Sequence, residues 1–371
     1  MTYALIIFFC VIWIERLIYP ASIGYAYLLS AIVVIFHYAN KYVNVNLKEL
    51  NFRDNVFNLA FFSFAILVAV KFLLYFFESS FKFENLLEVI KLLAFGFFIA
   101  AFSHIDEEVI TKVYKKITML NLFILITLLG LAYGDHDSFF NPHDRLEAFR
   151  YGPGTIAAFA LGTFFFALLS ENRRIIWAAL IFSFWIIVLT EMRGAGIALV
   201  GAILSYLYFI FVKRFGIIST SIVFLLLLAL IVILFQGLIH DLLLLSDGNR
   251  GITSGFTGRF QRSLDGIEEF SNYLIFGSDM NNEVINRIYS LPIRIFAKYG
   301  GFGGVFLLLS FIVAISSSLR MSRYSNAAVI IGFFIFGLSS SRDFNLDILP
   351  FLGWLVIARE LRLVKIFFLK S

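Results

Sequence analysis

IISTSIVFLLLLALIVILFQG, residues 217–237, runs for 21 positions without one charged side chain. About 20 apolar residues in a helix cross the ~30 Å hydrocarbon core of a bilayer, so a run of this length reads as a membrane span. Inside lipid no water is on hand for backbone N–H and C=O groups, which leaves helices and closed barrels as the only spanning forms. The run lacks the period-two alternation of a barrel strand, and that selects a helix.

The same reading extends in both directions. Upstream, spans are predicted near 2–14, 22–38, 56–77, 86–103, 117–133, 152–170, 174–191 and 194–212; downstream, near 294–314, 327–340 and 348–358. Composition agrees: of 371 residues 60% are hydrophobic and 15% charged, with a mean hydropathy of +0.90. A water-soluble domain of this length would carry far more charge. The expected fold class is therefore an all-α polytopic integral membrane protein of about twelve transmembrane helices, one transmembrane domain over residues 1–371. Residues 2–14 lack a basic leader and a small-residue cleavage site and are expected to stay as the first span. A single cysteine, Cys10, excludes a disulfide framework, and no Cys/His spacing suggests structural zinc. The net charge of +5 fits basic cytoplasmic loops and does not point to nucleic acid.

Lys and Arg in short loops orient such a chain. Alternate loops carry Lys41, Lys48 and Arg53; Lys112, Lys115 and Lys116; Arg173 and Arg174; Lys213 and Arg214; Arg320 and Arg323. These face the cytoplasm, as does a C-terminal tail with Arg359, Arg362, Lys365 and Lys370, so both termini are expected inside. Three outward segments break the rule: residues 134–151, the tight turn around Arg193, and the long stretch 238–293, expected to be partly helical. The last contains Arg250, Arg259, Arg262 and Arg287, has Arg294 at its edge, and holds no Lys. A guanidinium grips phosphate through a planar fork of donors and stays charged, so an outward surface chosen for Arg suggests an anionic ligand. Each of these arginines could equally pair with Asp241, Asp247, Asp265, Glu268, Glu269, Asp279 or Glu283 on a solvated loop.

Four local patterns, in this order, resemble the superfamily of O-antigen polymerases (Wzy-type) and O-antigen ligases. RLEAFRYGPGTIA, Arg145 to Ala157, leads into a span through Gly and Pro. TEMRGAGIAL, Thr190 to Leu199, is similar to the family's T-x-S-R-G-A pattern, with Met192 in place of the usual Ser. Thr257-Gly258-Arg259, then Leu264 and Ile267, then Leu274-Ile275-Phe276-Gly277, resembles the family's G-R stretch, amphipathic helix and closing Gly. Ile293, Phe296, Gly300, Gly301, Gly303 and Gly304 match the apolar and Gly lead into the next span. Ligases of the superfamily carry a His-Asn pair where this chain has Tyr289 and Ser290, and that difference favours polymerase. The resemblance covers residues 140–310.

The resemblance implies glycosyl transfer on the periplasmic face of a bacterial inner membrane. A growing saccharide leaves its undecaprenyl diphosphate carrier for the sugar of an incoming lipid-linked repeat, without a cofactor or metal. Lipid-linked donor and acceptor, membrane lipids and a chain-length regulator are the implied partners. Preorganised cations aimed at the departing diphosphate stabilise its developing charge. Arg193 is the first candidate for that role, since Gly194 and Gly196 beside it allow a head group close approach. Arg259 is the second, because Gly258 favours a turn that exposes it. Arg145 and Arg150 could hold the second diphosphate, with Arg262, Arg287 and Arg294 as further binding residues. Tyr289 and Tyr299 could pack on a sugar. Glu191 is the leading general base, expected to be partly buried beside Arg193; Asp135, His136, Asp137, His143 and Asp144 are alternatives. Structural pairing or interfacial snorkelling competes with each of these roles. The alternatives for the whole chain are a ligase of the same superfamily or a non-enzymatic flippase for the same lipid-linked units.

Overall fold

The computed structural model describes residues 105–135, 139–140, 146, 153–234, 252–278, 288, 290–338 and 348–364, with isolated positions between 66 and 103. The spans expected over 2–14 and 22–38 lie outside the described residues. Those over 56–77 and 86–103 are described only at a few scattered helical positions.

Among the described residues the fold is all-helical. In chain order the helices are α1 (Glu107–Gly134), α2 (Pro153–Leu169), α3 (Arg173–Leu189), α4 (Arg193–Phe215), α5 (Ile217–Leu234), α6 (Ile252–Asn272), α7 (Leu291–Arg320), α8 (Tyr324–Gly337) and α9 (Ile348–Leu363). Three of these, α1, α4 and α7, are long and apolar enough to cross a membrane; α2, α8 and the Ile217–Leu226 stretch of α5 are shorter apolar helices.

Tight turns make α2, α3 and α4 antiparallel neighbours, and likewise α7 and α8. Each turn places one non-Gly residue in the left-handed region: Glu171 (φ 55°), Glu191 (φ 50°) and Ser322 (φ 58°). Asn172 caps α3 by accepting from the backbone N–H groups of Arg174 and Ile175 at 3.1 and 3.3 Å, which satisfies donors the helix start leaves open. The core is apolar and close-packed. Gly332 of α8 sits where an added Cβ would come 2.6 Å from Phe165 of α2 and 2.8 Å from Ala202 of α4, so small residues set the approach of three helices. The contacts Gly201 to Ile335 and Ala202 to Gly332 run in opposite senses along the two helices, which makes α4 and α8 antiparallel.

Two expected boundaries change. Lys112, Lys115 and Lys116 are not in a loop: α1 begins at Glu107 and carries them, because Ile110, Val113, Tyr114 and Ile117 repeat an apolar face through that stretch. Arg359 and Arg362 are not in a tail but on α9, which runs five residues past the predicted span.

The predicted span 294–314 also changes. α7 breaks at Gly300 (φ 67°, ψ −167°) into a short helix, Leu291–Tyr299, and a longer one over 301–320. The Phe296 ring lies over Gly304 and the Tyr299 side chain over Gly303. In a straight helix residues 296 and 304 would stand about 12 Å apart, so the chain turns back on itself here.

Candidate functional site

The break in α7 leaves unpaired backbone groups on both sides, and one segment satisfies them. After α6 the chain crosses the break as a strap, residues 273–278. Gly301 N–H donates to the Leu274 carbonyl at 2.7 Å and Phe302 N–H to the Ile275 carbonyl at 3.4 Å, while Ser278 N–H donates to the Ala297 carbonyl at 2.9 Å. Open donors of the second helix and an open acceptor of the first are thus closed by the same six residues.

Two glycines permit it. Gly277 (φ 73°) would put a Cβ 2.4 Å from the Lys298 carbonyl carbon, and Gly300 would put one 2.2 Å from the Ile275 oxygen. Backbone passes backbone with no room for a side chain on either. Two motifs separated in sequence, Leu274–Gly277 and Gly300–Gly304, therefore form one structural unit.

The strap seats α6 against the short helix of α7. Gly266 faces Ile288 and Ile293, and Phe270 meets Phe296 edge-on at 5.3 Å. Arg262, one turn before Gly266, and Arg294, next to Ile293, thus sit on elements in contact, and both are half-buried. Lys298, at the break itself, is buried against the Tyr299 ring and was not expected from the sequence. Glu269 of α6 accepts from the Ser278 hydroxyl.

A second grouping surrounds the turn between α3 and α4. Leu146 N–H donates to the Leu189 carbonyl at 3.0 Å, and the Met192 side chain lies over Gly154 at the start of α2. The RLEAFRYGPGTIA and TEMRGAGIAL stretches are therefore neighbours in space, with Met192 acting as packing between them. Arg193 opens α4 and its side chain is exposed; among the described residues it forms no ion pair. Leu291 packs on Gly337 at the end of α8, and α8 is antiparallel to α4, so Arg193 and the start of α7 occupy one end of the bundle.

Several expectations are corrected. Glu191 is exposed, not partly buried; it stands in the left-handed position of the tight turn between α3 and α4. Arg259 is not on a turn: Gly258 and Arg259 fall inside α6, where one Gly costs about 1 kcal/mol and the packed face of the helix outweighs it. Tyr299 is fully buried under Gly303 and cannot line a sugar. Arg145, Arg150, Arg287 and Tyr289 lie outside the described residues, as do His136, Asp137, His143 and Asp144; Asp135 ends α1 and is exposed.

At the opposite end a charged cluster escaped the sequence reading. Arg359 donates to Glu107 at 2.8 Å and to the Ile105 carbonyl at 2.6 Å, and Arg323 lies 3.3 Å from Glu107 and 3.5 Å from Glu360. Glu360 is completely buried and also accepts from Asn326 and, at 3.2 Å, from Ser317. The cluster clamps the starts of α1 and α8 to the ends of α7 and α9. A Glu beside an Arg inside an apolar run, IARELRL, was the available signal.

Among the described residues no group of three or more His, Cys, Asp or Glu gathers to hold a metal ion. A scan against protein-family models gives no match to this chain, and a search of curated proteins gives none either.

Proposed function

We propose that this chain is a glycosyltransferase with twelve spans and both termini in the cytoplasm, which polymerises undecaprenyl-diphosphate-linked oligosaccharide repeats on the periplasmic face. The observation that carries the reading is the union of its sequence motifs. The strap and the Gly300 break join, and the Arg262 and Arg294 elements they seat lie at the same bundle end as Arg193. A cationic end of this kind suits a lipid diphosphate.

In this reaction the acceptor hydroxyl oxygen attacks the anomeric carbon of the donor sugar. The bond from that carbon to the diphosphate oxygen breaks, and the diphosphate leaves with the electron pair. Arg193 stabilises the charge that develops there, and Glu191, exposed two residues away, takes the hydroxyl proton. Arg262 and Arg294 bind the carrier head group, with Arg145, Arg150, Arg259 and Arg287 as further cations of the same face. The Tyr289-Ser290 pair, in place of His-Asn, favours this activity over ligation.

The test is complementation of a deletion strain with Arg193→Ala. The variant is expected at normal membrane abundance but without chain extension, leaving single repeats on the lipid A core. Full-length polysaccharide from it would remove Arg193 from the reaction. A deletion strain that attaches no repeat at all would point to a ligase, and one that accumulates lipid-linked units on the cytoplasmic face to a flippase.

A further inference from the structure

We infer that the second half of α6 and the strap lie in the membrane surface at the Gly300 end of the bundle, with lipid acyl chains covering their apolar side chains. The inference rests on residues 301–320 being a membrane span and is independent of the polymerase reading.

α6 divides its surface three ways. Gly266 and Phe270 pack on the short helix of α7. Leu264 and Ile267, three residues apart on one flank, stay exposed, and Asp265 and Glu268 occupy the next flank. The strap then presents Tyr273, Leu274, Ile275 and Phe276 in succession, all exposed, with Ile275 at 66%. Four consecutive large apolar or aromatic side chains on a surface mark a contact with something other than water.

Depth identifies the covering. The backbone hydrogen bonds from Gly301 and Phe302 hold Leu274 and Ile275 level with the first turn of the helix over 301–320. That helix, 20 residues at 1.5 Å each, is about 30 Å long and spans the hydrocarbon with little to spare, so its first turn marks the hydrocarbon edge. Its outward residues Phe302, Val305 and Leu309 are exposed as well, and Phe302 is bonded through its N–H to Ile275 of the strap. A half-apolar helix entering such an edge lies in the interface with its charged flank toward the head groups. Arg262 is thereby held at the height of lipid phosphates.

Cys10 is the chain's only cysteine, so Cys10→Ala gives a background for single reporters. The full chain would carry an environment-sensitive fluorophore at Ile275→Cys, Glu268→Cys or Val305→Cys and be reconstituted into vesicles of phosphatidylcholine with brominated acyl chains. Bromine quenches only a probe in contact with lipid. The expected result is loss of roughly half the signal or more at Ile275 and Val305, and little loss at Glu268. Quenching at Val305 without quenching at Ile275 would overturn the inference, since the strap would then lie in water or under protein. Equal quenching at Glu268 and Ile275 overturns the division of faces. No quenching at either Val305 or Ile275 removes the span on which the inference stands.

Discussion

Gly277 and Gly216 both adopt positive φ, at 73° and 80°, yet their surroundings differ. An added Cβ at Gly216 meets nothing within 4 Å, whereas at Gly277 it meets the backbone of Lys298 and Gly300 at 2.4 to 2.5 Å. Gly216, at φ 80° and ψ 164°, lies in a region essentially confined to glycine, where another residue costs about 1–3 kcal/mol by itself. Gly216→Ala should lose that much and no more. Gly277→Ala should lose more, because backbone cannot swing aside as a flexible side chain can, and the strap must detach. Thermal unfolding of the two variants in detergent checks this; equal losses would mean that the strap is not seated on the break. The motif marked Gly277 and not Gly216, but the backbone that Gly277 passes is invisible in sequence. The same limit applies to Met192: the alignment of motifs made it a departure from pattern, and only its contact with Gly154 makes it packing.

Helices were legible where apolar length decides them and illegible where tertiary contact does. α2, α3 and α4 end within about two residues of the predicted edges at most boundaries, since charged or polar turns cannot enter lipid. α7 was read as one unbroken span because its apolar composition continues across Gly300; the break depends on carbonyls supplied by the strap, 25 residues earlier in the chain. α9 was cut short at Arg359 and Glu360, since unpaired charges would end a span, and their partners lie elsewhere, Glu107 on α1 and Arg323 in the turn before α8. That clamp gives an element-scale prediction. Glu360→Ala leaves Arg323 without one of its two carboxylates and Asn326 without its acceptor, and loss of one member of a buried pair costs about 3–5 kcal/mol. The exposed fraction of Arg323 lets water recover part of this, so a loss near about 3 kcal/mol is expected. Glu360→Gln, which keeps an acceptor for Asn326, should lose less. A melting curve unchanged by Glu360→Ala would show that the four helix ends are held by apolar packing alone.

For the whole molecule, parity of the helices ties the two ends together. The clamp gathers the starts of α1 and α8 with the ends of α7 and α9, which are the ends that the Lys and Arg distribution assigns to one side. Tyr133 and Trp185 lie toward the other end, exposed and joined by a 2.9 Å hydrogen bond from the indole, as befits residues of an interfacial belt. Glu171 and Glu191 sit in the turns at either end of α3, and both are exposed. In a Cys10→Ala chain, Glu191→Cys should react with a membrane-impermeant maleimide in intact cells, and Glu171→Cys only after the cells are opened. Reaction of both from outside would end the assigned topology. The charge pattern suggested a group of outward cations; that the elements of Arg262 and Arg294 touch was not legible, because that contact is set by the Gly277–Gly300 crossing.

The crossing also has a mechanical meaning. Three backbone hydrogen bonds and two interlocked glycines weld α6 to the break in α7. A 21-residue helix is about 31 Å long, so a tilt of about 10° in the span would carry the free end of α6 through roughly 5 Å. Such a joint would act as a crank, by which a small change of angle in the span becomes a large sweep of the arm that bears Arg262.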